Sequence, residues 1–282
     1  MYADSNSGTS TVTHVITTGD KVGGAVSVGD DIFVVHISSH QEIRVYNSVT
    51  SKLQRRIRVP GLTHAYDLAA CTINRCLYAP DRSNDVVHRV ELSGSNAVSK
   101  WSVARNPAGV SVNTEHNLLV VSDGECKLQV FTTHGTLLQH IMFPADIDEP
   151  KYAIQLPKNQ LVVSDVSNSS PKLCLVGMYG QLLSVYEEKR SSVGKMNAPR
   201  GIAVDRRGNI LLADMNNNRL LVFDQSLSRD KVMSVSVDGG MQYPRSLWYD
   251  QLQGRLCIGE CDERGRVIVI DNLKDFFSAC MD

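Results

Sequence analysis

Six short apolar runs recur along this chain at nearly even intervals, and each ends in a polar residue that is usually acidic. The runs lie at residues 32–36, 77–81, 118–123, 161–165, 210–214 and 256–260, and a second apolar run follows each one. From His36 through Asp81, Asp123, Asp165 and Asp214 to Glu260 the steps are 45, 42, 42, 49 and 46 residues. A repeat of that length built from strands is one propeller blade. Six units use nearly all of the 282 residues. The expectation is therefore all-β: a six-bladed β-propeller of four-stranded antiparallel blades. A ring also solves a size problem, because a single sheet core of this length is near its upper limit and each blade packs only on its neighbours.

The fifth unit is the clearest. Gly201-Ile202-Ala203-Val204 reads as a short strand, Asp205-Arg206-Arg207-Gly208-Asn209 as a tight turn, and Ile210 to Ala213 as a second strand. A polar loop at 214–219 leads to a third strand at 220–223, and the outer strand is expected around 232–237. The third and fourth units repeat this layout, while the first, second and sixth are more worn. No good outer strand follows Ile270, whereas Thr11-Val12-Thr13-His14-Val15-Ile16 is a strand without a unit of its own. It is predicted to complete the sixth blade and close the ring, which would remove two free edges. Residues 1–10 read as a polar tail and 11–282 as one domain.

The pattern Pro199-Arg200-Gly201-Ile202-Ala203-Val204-Asp205, then Gly208-Asn209-Ile210-Leu211-Leu212-Ala213-Asp214, then Asn218-Arg219-Leu220-Leu221-Val222-Phe223 resembles the NHL repeat. The likeness covers roughly residues 20–271. It departs at Ile210, which stands between the Asn and Leu positions of the signature. The resemblance implies a propeller like the C-terminal domain of tripartite-motif NHL proteins. In such proteins it recognises RNA or protein within ubiquitin ligases or post-transcriptional repressors. Other relatives are secreted lyases or lactone hydrolases, so the resemblance brings no catalytic residue with it. A parent protein could carry a separate ubiquitin-ligase module.

Chemistry is sparse. His36 and His40 are four apart but cross from a strand end into a loop, and no zinc spacing occurs. Cys71 with Cys76, and Cys257 with Cys261, lack the Cys-x-x-Cys form and read as packing. Gly194-Lys195 lacks a phosphate-binding glycine loop. No catalytic residue, metal or cofactor is expected. Seven dispersed cysteines suit reduced thiols, and the Asn168-Ser169-Ser170 sequon reads as chance, so a cytoplasmic protein is expected. No apolar stretch of about 18 residues occurs, so no membrane partner is expected. Asp81, Asp123, Asp165, Asp214 and Glu260 are expected to cap loops by accepting amide hydrogen bonds.

Antiparallel strands bring the loops before the innermost strands and the loops after the repeated acids to one face. That face gathers Arg105, Lys151, Arg200 and Arg245 from the first set. From the second it gathers Arg82, Lys172, Arg219, Arg264 and Arg266. Lys151, Arg200 and Arg245 each directly follow a proline in three consecutive units, and Tyr66, Tyr152 and Tyr243 lie nearby. Forked cations beside aromatic platforms suit exposed phosphates and unstacked bases, with Tyr152 and Tyr243 stacking bases, and the resemblance implies single-stranded or stem-loop RNA as the ligand. An acidic peptide or protein docking on the same face is the alternative. The formal charge of −1 argues against indiscriminate attraction to a polyanion and leaves a local patch open.

Overall fold

The structure, a computed structural model, describes residues 10–38, 41–167, 170–186, 194–228 and 230–273. His40, the Asn168 sequon and the tails at 1–9 and 274–282 lie outside the described residues.

The described residues form six four-stranded antiparallel sheets and one short parallel pair. Blade 1 comprises Val22–Val28, Asp31–His36, Glu42–Asn47 and Leu53–Arg58. Blade 2 comprises Ala69–Cys71, Cys76–Asp81, Val86–Glu91 and Val98–Ser102. Blade 3 comprises Pro107–Val112, Leu118–Ser122, Lys127–Phe131 and Leu137–Met142. Blade 4 comprises Pro150–Leu156, Gln160–Asp165, Lys172–Gly177 and Leu182–Val185. Blade 5 comprises Pro199–Val204, Ile210–Asp214, Arg219–Phe223 and Asp230–Met233. Blade 6 has Pro244–Asp250, Arg255–Glu260 and Arg266–Ile270.

Its fourth strand is His14–Thr17, antiparallel to Arg266–Ile270, with Val15 opposite Ile268. The N-terminal strand thus closes the ring as the sequence predicts. The run expected as the outer strand of blade 5 divides instead. Its first part stays in the blade, and Val235–Ser236 pairs in parallel with Ser10–Thr11.

The core lies between blades rather than within them. The second strands are buried along their whole length in blades 2, 3, 5 and 6, and in blade 4 from Leu161 onward. Such strands read as continuous apolar runs because both faces are covered. Six buried clusters correspond to the six junctions around the ring. Leu211 and Val222 meet Leu247 and Ile258 between blades 5 and 6. Ile32 and Val34 meet Cys257 and Val269 across the closing junction. At about 1.5–3 kcal/mol for each fully buried aliphatic side chain, these junctions hold the ring together.

The innermost strands share one irregularity. In blades 1, 3, 4, 5 and 6 the pairing register slips just after the first residue, which is Pro in four of them. Proline tolerates the first position of a strand and a bulge, because neither needs its missing N–H. The residues carried in these bulges are Gly23, Ala108, Lys151, Arg200 with Gly201, and Arg245. Blade 2 has the equivalent excess between the Ala65–Asp81 bridge and Ala69, around Tyr66 and Asp67. A bulge re-aims a side chain out of the alternating pattern. Here it turns six positions toward the ring axis.

Candidate anion-binding mouth of the propeller axis

The six bulges surround one small cavity. Its wall contains Gly23, Tyr66, Asp67, Ala108, Lys151, Arg200 and Arg245, with Tyr152 beneath. Blades 4, 5 and 6 supply the three cations, and blades 1, 2 and 3 supply none from their bulges. The basic charge therefore occupies one half of the mouth. Close packing of innermost strands is what brings these groups together. A Cβ on Gly201 would sit 2.6 Å from the Arg245 carbonyl oxygen and 2.9 Å from the Leu247 nitrogen. Only glycine allows blades 5 and 6 to approach so nearly.

The three cations are compensated unequally. Lys151 Nζ lies 2.7 Å from Asp123 Oδ1 and 3.9 Å from Glu149 Oε2. Arg82 Nη1 also pairs with Asp123. The Arg245 guanidinium has no carboxylate partner among the described residues; it stacks 4.9 Å from the Tyr66 ring centre and donates from Nε to the Tyr66 carbonyl at 3.3 Å. Arg82 covers the same ring at 5.2 Å. Two guanidinium groups thus use one aromatic ring, an arrangement worth about 0.5–1 kcal/mol for each at exposed sites. Arg200 is the least compensated. Its Nε is buried without a hydrogen-bond partner, and no acid pairs with it among the described residues. Burial and then the neighbouring Arg245 charge lower its pKa to about 10, which still leaves it cationic at neutral pH.

Two buried groups lie beneath these cations. Asp67 accepts a hydrogen bond from the Val110 amide at 2.9 Å. Burial raises its pKa to about 7, although the Val110 and Leu68 amides and Arg245 oppose the rise. Tyr152 is also buried, and burial followed by the nearby Asp67 charge holds its phenol well above the usual range. This corrects the sequence expectation for Tyr152. Its ring is buried in the wall of the cavity, which leaves no exposed face for a base to stack on. Tyr243 is 45% exposed, beside the mouth in sequence. Arg105 is exposed at a shallow depression shared with His64, Tyr66, Arg82 and Asp85.

Three other sequence-assigned cations serve the fold instead. Lys172 stands opposite Asp165, and Arg219 opposite Asp214, as cross-strand partners. Lys172 Nζ is 3.8 Å from the Asp165 carboxylate, and Arg219 Nε is 2.7 Å from that of Asp214. Arg266 is buried; its Nε lies 2.5 Å from Glu260, and its other nitrogens donate to the Asp238 and Gly240 carbonyls at 2.7 and 2.6 Å. Each cation is drawn inward because a buried acid requires compensation. Arg264 is held by Asp262 at 2.5 Å and is partly exposed.

The repeated acids divide in the same way. Asp81 accepts amides from Thr63, His64 and Ser83, and Asp165 accepts those of Asp148, Glu149 and Ser167. Asp214 accepts from Asn197 and Glu260 from Gln242. Each ties the loop before an innermost strand to the end of the second strand. Asp123 is the exception. The residue opposite Pro107 is Ser122, matching Asp165 opposite Pro150, so Asp123 stands one residue beyond the register of the other acids. Its carboxylate turns to Lys151 and Arg82 rather than to loop amides. Asp67 and Ala108 are the positions that sequence reasoning missed. The signal was available in their place, just before the innermost strand of blade 2 and directly after the leading proline of that of blade 3.

Among the described residues no group of three or more His, Cys, Asp or Glu side chains could hold a metal ion, and no helix is long and apolar enough to cross a membrane.

Residues 196–223 match the NHL repeat, the segment that forms the first three strands of blade 5. This chain is a six-bladed β-propeller that carries one matched NHL repeat. Over 130 residues the propeller is 27% identical to Protein brain tumor of Drosophila melanogaster, a tripartite-motif NHL protein. That stretch is 43% of this chain and 12% of the relative, so the match spans only a small part of the relative's length. A streptogramin B lyase structure superposes with a TM-score of 0.67 at 10% identity, covering 92% of this chain and 98% of the lyase. A structure of unknown function from Bacteroides thetaiotaomicron gives 0.71 at 14% identity, covering 93% and 74%. At these identities the likeness is one of fold.

Proposed function

We propose that this NHL propeller is a non-catalytic recognition domain that binds a short RNA element through the face bearing Arg82, Arg105, Lys151, Arg200 and Arg245. The observation that carries this reading is the half-ring of Lys151, Arg200 and Arg245, in which two cations lack an acidic partner among the described residues. Burying charge without a partner is costly. A site that retains such groups beside a half-buried tyrosine has the composition of a phosphate and base receptor. The weak similarity to a tripartite-motif NHL protein supports a binding role. On this reading the domain acts in post-transcriptional regulation in the cytoplasm, as the recognition part of a larger protein.

Phosphate contacts would make affinity fall with salt, and contacts to base faces and edges would supply selectivity. Selection from a randomised RNA pool at near-physiological salt tests the reading, with the double variant Arg200→Gln, Arg245→Gln run in parallel. The expected result is an enriched motif that the double variant no longer retains while its melting curve stays cooperative. A pool without enrichment sinks it. Retention of an acidic protein by the same face after nuclease treatment, with no RNA enriched, would favour a substrate-recognition module of a ubiquitin ligase instead.

A further inference from the structure

The axial cavity is distinct in kind from the surface around it. Its volume is about 20 Å³, little more than the roughly 10–15 Å³ that one water requires. A continuous nucleic-acid strand cannot pass into such a space and out again. A group that terminates can insert its outermost atoms. The walls then decide which group. Neither Arg200 nor Arg245 forms an ion pair among the described residues, Lys151 shares its charge with Asp123, and the Asp67 carboxyl in the same wall offsets only part of the remainder. The positive charge therefore exceeds one unit. An internal phosphodiester carries one negative charge, whereas a phosphate monoester carries about −1.5 to −2 at pH 7 and presents three acceptor oxygens. Guanidinium forks match such oxygens in geometry as well as charge.

We infer that the axial cavity is a receptor for a terminal phosphate monoester, read by Arg200, Arg245 and Lys151. On the RNA-binding reading above, on which this source rests, the group is the phosphate at one end of the bound strand. Arg200 is the deciding contact, because its buried Nε lacks the partner that Arg245 finds in Tyr66. Arg105 lies outside the cavity and serves the strand in general.

The test uses a mixed-sequence ten-nucleotide RNA pool in three forms: 5′-phosphate, 3′-phosphate, and hydroxyl at both ends. One phosphorylated form is expected to bind at least about tenfold more tightly than the hydroxyl form, the factor that one charge-assisted hydrogen bond can supply. Arg200→Gln should erase that difference, whereas Arg105→Gln should weaken all three forms alike. Arg200→Lys, which keeps the charge without the fork, should retain part of the difference. Inorganic phosphate should raise the melting temperature of the unmodified protein and not that of Arg200→Gln, at matched ionic strength.

Equal affinity for all three forms overturns the inference and leaves RNA binding by the face intact. A terminal-phosphate advantage that survives Arg200→Gln also overturns it. If no RNA form binds while inorganic phosphate gives the Arg200-dependent shift, the RNA reading fails and the phosphate cavity stands. An Arg200-dependent preference for a phosphoserine peptide over its unmodified form, with no preference among RNA ends, would overturn the assignment to an RNA end.

Discussion

The Arg245 guanidinium lies 4.9 Å from the Tyr66 ring centre while its Nε donates to the Tyr66 carbonyl at 3.3 Å. One residue of blade 2 thus fixes both the plane and the reach of a cation from blade 6, across the closing junction through blade 1. Arg82 stacks on the same ring and extends to Asp123, which in turn takes Lys151. The mouth is therefore one connected arrangement. Tyr66→Leu is expected to leave the propeller folded, lower stability by about 1 kcal/mol, and weaken RNA-pool binding by releasing two arginines at once. Tyr66→Phe should restore both, since it keeps the ring and the carbonyl. Denaturant melts and filter-binding titrations on the two variants check this.

Asp67 makes stability depend on pH in a definite direction. Its folded pKa is near 7, against 3.8 for an ordinary aspartate. Between these limits the native state holds a proton that the unfolded chain has released. Stability from this group should therefore decline as pH rises from about 4 to 7 and level off above. Asp67→Asn should flatten that segment of the profile. Asp81 acts in the opposite sense. Burial works against its ionisation, but the nearby His88 and hydrogen bonds from Asn84 and the Thr63 and His64 amides hold its carboxyl well below the usual range. Its contribution is present above about pH 4 and is lost as pH falls. Chemical denaturation across pH 3 to 8 separates the two.

Gly201→Ala should cost about 1–3 kcal/mol, because the new methyl meets the Arg245 and Leu247 backbone and neither can rotate away. Its larger effect should be on binding, since relief comes only by moving blade 6, and with it Arg245, outward. A variant with normal stability and unaltered binding would contradict the close approach described for these strands.

The acid clasps should be far more sensitive than the exposed ion pairs. Glu260→Ala removes the carboxylate from a buried Arg266 and also frees the Gln242 amide. A loss of roughly 3–5 kcal/mol is expected for breaking a buried pair on one side. Arg264→Ala, at a partly exposed and solvent-screened pair with Asp262, should cost far less. Equal losses for the two would show that burial does not govern these pairs.

The repeat, the blade number and the strand that closes the ring were all legible in the chain, because long apolar runs with acids at fixed spacing leave few other folds. The candidate site was legible only in part. Lys151, Arg200 and Arg245 were found through the proline before each. Their meeting at the axis depends on register slips that no residue pattern announces. Lys172, Arg219 and Arg266 were misread because a surface cation and a buried clasp share the same letters. The hairpin register, which sets Lys172 against Asp165 and Arg219 against Asp214, would have separated them. Asp123 was misassigned by a single residue, since Ser122 and Asp123 are both polar and a count of repeats cannot choose between them.

The sheet that joins His14–Thr17 to Arg266–Ile270 has a consequence for how the protein is made. During synthesis the early strand leaves the ribosome long before its mate and must wait, unpaired, for almost the whole domain to be translated. Until then the half-built structure has two open ends and one apolar seam exposed. The last blade therefore acts as the moment of maturation, and the interval before it is when a nascent chain most needs a chaperone's shelter.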